Sequence, residues 1–137
     1  MNQENSPEPQ NKRALSILVV EDNQINLRLL MSSLIRIGHQ VDKASDGQAA
    51  IEKFLANKYD VILMDIMMPV MDGVTATKEI RKLELEKGIR EKERVKIIAV
   101  TANALEDERD KFLAAGMDEM MNKPIDIEEL HRFLHLD

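Results

Sequence analysis

The sequence predicts an α/β domain of (βα)5 form: a five-stranded parallel sheet wound on both faces by five helices. Five short apolar runs, each bounded by turn residues, alternate with five stretches whose apolar residues recur at helical spacing. Parallel strands need crossover connections, and those are right-handed, so strict alternation puts helices on both faces of one sheet. The run Val61-Ile62-Leu63-Met64 is apolar without alternation, as expected of a strand buried on both sides, and it leads directly into Asp65.

Residues 1–13 (MNQENSPEPQNKR) are polar, carry two prolines and show no apolar period, which reads as a disordered tail or linker ahead of a domain spanning 14–137. Leu15–Val20 is the first strand, ending in Glu21-Asp22. Asn23-Gln24 can cap a helix in which Asn26, Leu29, Leu30, Ser33 and Ile37 fall at helical spacing, with Gly38 as its C-terminal stop. Gln40–Ala44 is a short second strand. Ser45-Asp46 opens a second helix whose Gly47, Ala50, Ile51 and Phe54 share one face.

After the Asp65 strand the chain turns at Pro69 and again at Asp72-Gly73. Asp72 caps a third helix to about Glu86, with Ala76, Ile80 and Leu83 inward. Residues 82–94 (KLELEKGIREKER) mix charges of both signs around Gly88 and read as a solvated helix end and loop. Val95–Val100 is the fourth strand, reaching Thr101. Ala104–Ala115 is a helix stopped by Gly116, Glu119–Asn122 a fifth strand leading into Lys123-Pro124. Asp126 caps a last helix with Ile127, Leu130 and Leu134 inward.

One domain is expected from 137 residues. A net charge of −6 argues against non-specific nucleic-acid binding, which needs a basic face. The absence of cysteine excludes disulfides and thiolate metal sites. No apolar run approaches the roughly 20 residues of a membrane span, and the N-terminus lacks the apolar core of a signal peptide. A cytoplasmic, soluble chain with no nucleic-acid or membrane partner is the expectation.

The residues at the strands' carboxyl ends carry the chemistry. They are Glu21 and Asp22, Asp65, Thr101 and Lys123. With strand order 2-1-3-4-5, strands one and three are neighbours at the point where the winding reverses, the place where open α/β sheets bind ligands. Three carboxylates gathered there repel one another. A hard divalent cation such as Mg²⁺, which takes oxygen ligands and keeps several waters, relieves that repulsion and leaves room for a phosphoryl oxygen. Thr101 can donate a hydrogen bond to that oxygen and Lys123 supplies a point charge. The set fits in-line transfer of phosphate to an aspartate. Taken singly, Glu21 or Asp22 could cap a helix, Asp65 could form a turn, Thr101 could be a β-branched strand residue and Lys123 a solvated one. No such plain use explains them together at successive strand ends. His39, His131 and His135 stand at no strand end and read as surface or packing residues.

The blocks ILVVEDNQIN (17–26), VILMDIMMPVMDG (61–73), IIAVTANA (97–104) and AAGMDEMMNKPI (114–125) closely resemble the receiver domains of two-component response regulators, over about Leu15–Leu134. The wording is similar to receivers of hybrid sensor kinases and phosphorelays. The resemblance implies the flavodoxin-like fold, with Asp65 as phosphoacceptor and Asp22, Asp65 and the Met67 carbonyl as Mg²⁺ ligands. It also implies Glu21 on metal-bound waters, Thr101 and Lys123 on the phosphoryl group, and a cis bond before Pro124. The implied donor is a sensor histidine kinase or a histidine phosphotransfer domain, and the implied state a monomer or weak homodimer. Such a domain is no free-standing enzyme; it catalyses its own phosphorylation and dephosphorylation. Where many receivers carry an aromatic switch residue this chain has Met120, so switching is expected to rest on the Thr101 loop and the 104–115 helix. Met67 and Asn103 occupy positions that tune dephosphorylation, and an apolar Met67 implies slow loss of phosphate. The competing readings are a phosphorylation-independent interaction module and a Mg²⁺-dependent phosphatase. The phosphatase would need a second acid where Met67 stands.

Overall fold

The structure, a computed structural model, describes residues 14–68, 70–102 and 106–134, the side chains of 106 and 107 excepted. The expected tail over residues 1–13, together with Pro69, Asn103, Ala104 and His135, lies outside the described residues.

The strands are β1 (Ser16–Val20), β2 (Gln40–Ala44), β3 (Val61–Asp65), β4 (Lys96–Thr101) and β5 (Glu119–Asn122). The helices are α1 (Gln24–Arg36), α2 (Gly47–Ala56), α3 (Gly73–Glu86), α4 (Glu106–Ala115) and α5 (Ile127–Phe133). All strand pairs are parallel and the order is β2-β1-β3-β4-β5. Alternate side chains of the sheet divide the core in two. Leu18, Val20, Ile62, Met64, Ile97 and Ala99 pack with Ala50, Phe54, Ile80 and Phe112 from α2, α3 and α4. On the other face Ile17, Val19, Leu63, Ile98 and Val100 pack with Leu27, Leu34 and Leu130 from α1 and α5. Every residue of β3 is buried, as expected of a central strand covered on both faces.

The helices start where the capping residues say. Asn23 accepts from Asn26 N–H, Asp46 from Ala49 N–H, Asp72 from Thr75 N–H and Asp126 from Glu128 N–H. Gly38, at φ +108°, closes α1 in the left-handed region that its missing Cβ permits.

Two expectations are corrected. The buried stripe of α1 is Leu27 and Leu34, with Leu30 and Met31 half-buried, while Leu29 and Ile37 are exposed. Both that set and the expected one satisfy the i, i+3, i+4, i+7 pattern, but only the buried set is apolar throughout. The second correction concerns the charged run over 82–94, which is not wholly solvated. Glu84 is 1% exposed. Its Oε1 accepts from Arg81 Nη1 and its Oε2 from the N–H of Val95, both at 2.8 Å. Arg81 also donates to the carbonyls of Gly116 and Val95 and to Asp118, tying α3 to the starts of β4 and β5.

Candidate functional site

Because β1 and β3 are neighbours, the residues that follow them meet. One carboxylate oxygen from each of Glu21, Asp22 and Asp65 lies within 4.8 Å of the others. Glu21 and Asp65 are buried and Asp22 is exposed. Lys123 arrives from the end of β5 and puts its Nζ 3.2 Å from Asp65 Oδ1 and 3.1 Å from Glu21 Oε1. Thr101, also buried, ends β4 between them in the sheet, and its carbonyl accepts from the N–H of Lys123 at 2.9 Å. The Lys123–Pro124 bond is cis.

Asp65 is 2% exposed. Its Oδ1 also accepts from the N–H of Met67 at 3.3 Å, whereas Oδ2 is buried with no hydrogen-bond partner among the described residues. Burial, and then the charge of Glu21, push its pKa up to about 6, while Lys123 and the Met67 N–H pull against that rise. Burial lowers the Lys123 ammonium, but its hydrogen bond to Glu21 and the charge of Asp65 outweigh burial and hold it above its ordinary value. Two of the three gathered acids, Glu21 and Asp65, thus share one ammonium, and Asp65 Oδ2 is left open. An oxygen-only donor set with surplus negative charge suits a hard divalent cation and not a thiophilic one.

The main chain around Asp65 is held from three sides. Ile66 N–H donates to Val100 C=O, and Gly73 N–H donates to Ile66 C=O. A Cβ at Gly73 would collide with the main-chain oxygen of Asp65, so only glycine lets α3 start here. Sequence reasoning had read this residue merely as a turn former. It also missed the second task of Asn23, whose N–H donates to Glu21 Oε2 at 3.0 Å, so that the α1 cap aims the carboxylate. The hydrogen-bonding capacity of a cap residue next to an acid was the available signal.

Met67 projects a side chain that is 77% exposed, and Met120 is half-buried against the α2–α4 side of the core. Beside the site, a groove of about 400 Å³ runs between α1 and the β5–α5 loop, lined by Asn26, Leu29, Ser33, Lys123 and Ile125. The adjoining face of α1 carries Ile25 and Leu29, 72% and 65% exposed. Among the described residues no helix is long and apolar enough to cross a membrane.

The sequence profile of the response regulator receiver domain matches residues 17–135. Hybrid signal transduction histidine kinase G of Dictyostelium discoideum is 42% identical over 118 residues, 85% of this chain and 3% of that protein. Sensor histidine kinase RcsC of Escherichia coli is 38% identical, over 89% of this chain and 12% of its own length. The chain spans between 3% and 15% of the first curated relatives it matches. Among solved structures, the receiver domain of a Pseudomonas aeruginosa sensor histidine kinase, with magnesium coordinated in its active-site cleft, superposes with TM-score 0.75 at 41% identity. That match covers 90% of this chain and 96% of the other. The receiver domain of Saccharomyces cerevisiae Ssk1, solved with the histidine phosphotransfer protein Ypd1, gives TM-score 0.80 at 30% identity, over 87% of this chain and 85% of the other.

Proposed function

From the premise that this chain belongs to the response regulator receiver family, we propose that it is a phosphorelay module. Asp65 accepts a phosphoryl group from the phosphohistidine of a histidine phosphotransfer domain or sensor histidine kinase. The observation that carries this reading is Asp65 itself: a buried carboxylate with one oxygen unpartnered, a lysine on the other and two further acids within 4.8 Å.

In the step, an oxygen of Asp65 attacks phosphorus in line with the departing imidazole nitrogen. The P–N bond breaks, its electron pair stays on the imidazole, and a P–O bond forms. Asp65 acts in its ionised form, which it holds above about pH 6 in the absence of a cation. Lys123 sets its charge against the phosphoryl oxygens, and Thr101, at the next strand end, donates its hydroxyl to one of them. Asp22, Asp65 and the carbonyl of Met67 would hold Mg²⁺, with Glu21 on its waters. The ion supplies charge neutralisation for the gathered carboxylates and the phosphoryl group. The exposed apolar face of α1 beside the groove is suited to the donor's surface, since a donor seated there brings its phosphohistidine to Asp65.

Acetyl phosphate with Mg²⁺ should label the wild-type chain at one residue and leave Asp65→Asn unlabelled. Persistent labelling of that variant would refute the assignment. A wild-type chain that neither labels nor changes its spectrum with beryllofluoride would instead be a phosphorylation-independent interaction module on the same fold.

A further inference from the structure

The two described histidines lie 92 residues apart in the chain and touch at the end of the sheet opposite Asp65. His39, 7% exposed, sits in the corner between α1 and β2; His131 is on α5. Their Nε2 atoms are 3.2 Å apart, with the ring planes at 89°. The main-chain N–H of His39 and both of its ring nitrogens are engaged. Its main-chain N–H donates to Leu34 C=O, and its Nδ1 accepts from the N–H of Leu15 at 3.1 Å. Leu15 in turn accepts from the N–H of Gln40.

The Leu15 N–H on His39 Nδ1 fixes the chemistry. With Nδ1 taken by an amide proton, a neutral His39 must carry its own proton on Nε2. It therefore donates to His131 Nε2, which leaves His131 as the Nδ1–H tautomer. The same reasoning denies a metal ion the pair, because His39 has no lone pair to offer at Nε2. A proton added to His39 would meet the Leu15 N–H; one added to His131 Nε2 would meet the His39 N–H. Neither ring can be charged without losing a hydrogen bond.

We propose that His39 and His131 form a proton-sensitive latch, closed while both rings are neutral, that fastens α5 to the head of β1 and the α1–β2 corner. The charged side chains on the elements packed around the pair are Arg28 and Arg36 on α1, Asp42 and Lys43 on β2, and Glu128, Glu129 and Arg132 on α5. Lys58 and Asp60 also lie against the start of β1. Among the described residues only His131 acts by its charge on His39. Burial, and then the facing ring, hold His39 below its ordinary pKa of 6.5. The unfolded chain takes up the proton first, so the latch's contribution is complete above the unfolded value. It is lost as pH falls through that value toward the folded one. Since α5 follows the Lys123–Pro124 loop, acidification loosens the helix attached to the loop that carries the site's lysine.

Two-bond ¹⁵N–¹H correlation spectra of the full chain near neutral pH should show His39 protonated on Nε2 and His131 on Nδ1. The second is the minority tautomer of free histidine. Both rings in the Nε2–H form would overturn the proposal. His39→Gln keeps a donor within reach of His131 Nε2 and removes the buried ring that takes the proton. Between about pH 7.5 and 5.5, the window in which histidine titrates, the wild-type unfolding constant should rise several-fold relative to that of the variant. Asp65, which titrates in the same range, cancels in the comparison. Parallel curves would equally overturn the latch.

Discussion

Asp65 and Glu84 are two acids buried to the same degree, and they differ in what surrounds them. Glu84 has a donor on each oxygen at 2.8 Å, one of them from Arg81, which has three further partners, Val95 ahead of β4 and Gly116 and Asp118 in the α4–β5 loop. Asp65 shares a lysine with a second acid at more than 3 Å and keeps Oδ2 open. Burial of a charge is tolerated when its hydrogen bonds are complete, and a complete set leaves nothing with which to react. The Glu84 cluster is therefore a fastening. The Asp65 cluster is short of positive charge, and that deficit makes it a site.

The comparison can be broken by experiment. Arg81→Ala strands Glu84 without its cation and should cost about 3–5 kcal/mol in urea unfolding. A cost below about 1 kcal/mol would remove the distinction drawn here. In the fraction that stays folded, labelling of Asp65 should persist. At the other cluster, Mg²⁺ at ten times its Kd should stabilise the wild type by about 1.4 kcal/mol. Asp22→Asn should lose most of that gain, and equal gains in both proteins would mean that the acids do not share the ion.

Asp65→Asn should stabilise the metal-free chain at neutral pH, on the order of 1 kcal/mol. A carboxyl whose folded pKa is raised to about 6 favours the folded state below its ordinary 3.8, and that support is lost as pH rises through 6. The variant's stability should accordingly be flatter than the wild type's between those values in a thermal-melt series. The smallest effect is expected at Met67, whose exposed thioether gives no hydrogen bond to an attacking water. Met67→Asn should shorten the aspartyl-phosphate lifetime a few-fold, measured by the decay of phosphoprotein, with stability unchanged.

Much of the fold was legible because its signals are local. Short apolar runs, broken only by Ser16 in the first and Lys96 in the fourth, mark β1, β3 and β4 to within a residue, and Asn23, Asp46, Asp72 and Asp126 cap the helices that follow them. Once the strand order 2-1-3-4-5 is granted, the gathering of Glu21, Asp22, Asp65 and Lys123 follows from their places at the strand ends. What escaped was pairing between distant residues. Glu84 stands in a run of charges indistinguishable from a solvated helix end. Its burial depends on Val95 arriving with a free N–H and on Arg81 bridging to Asp118. On α1 two registers satisfied one periodicity, and only the sheet beneath decided between them. His39 and His131 looked idle for the same reason.

The contact between Gly73 and the Asp65 carbonyl leaves no slack behind the aspartate: the head of α3 is already as near as backbone can come. A group attached to the carboxylate cannot be accommodated by retreat in that direction. Its bulk would push outward, toward Thr101 at the end of β4 and Lys123 just past the end of β5, so a modification of Asp65 would be felt first along β4 and β5 and not through the third helix.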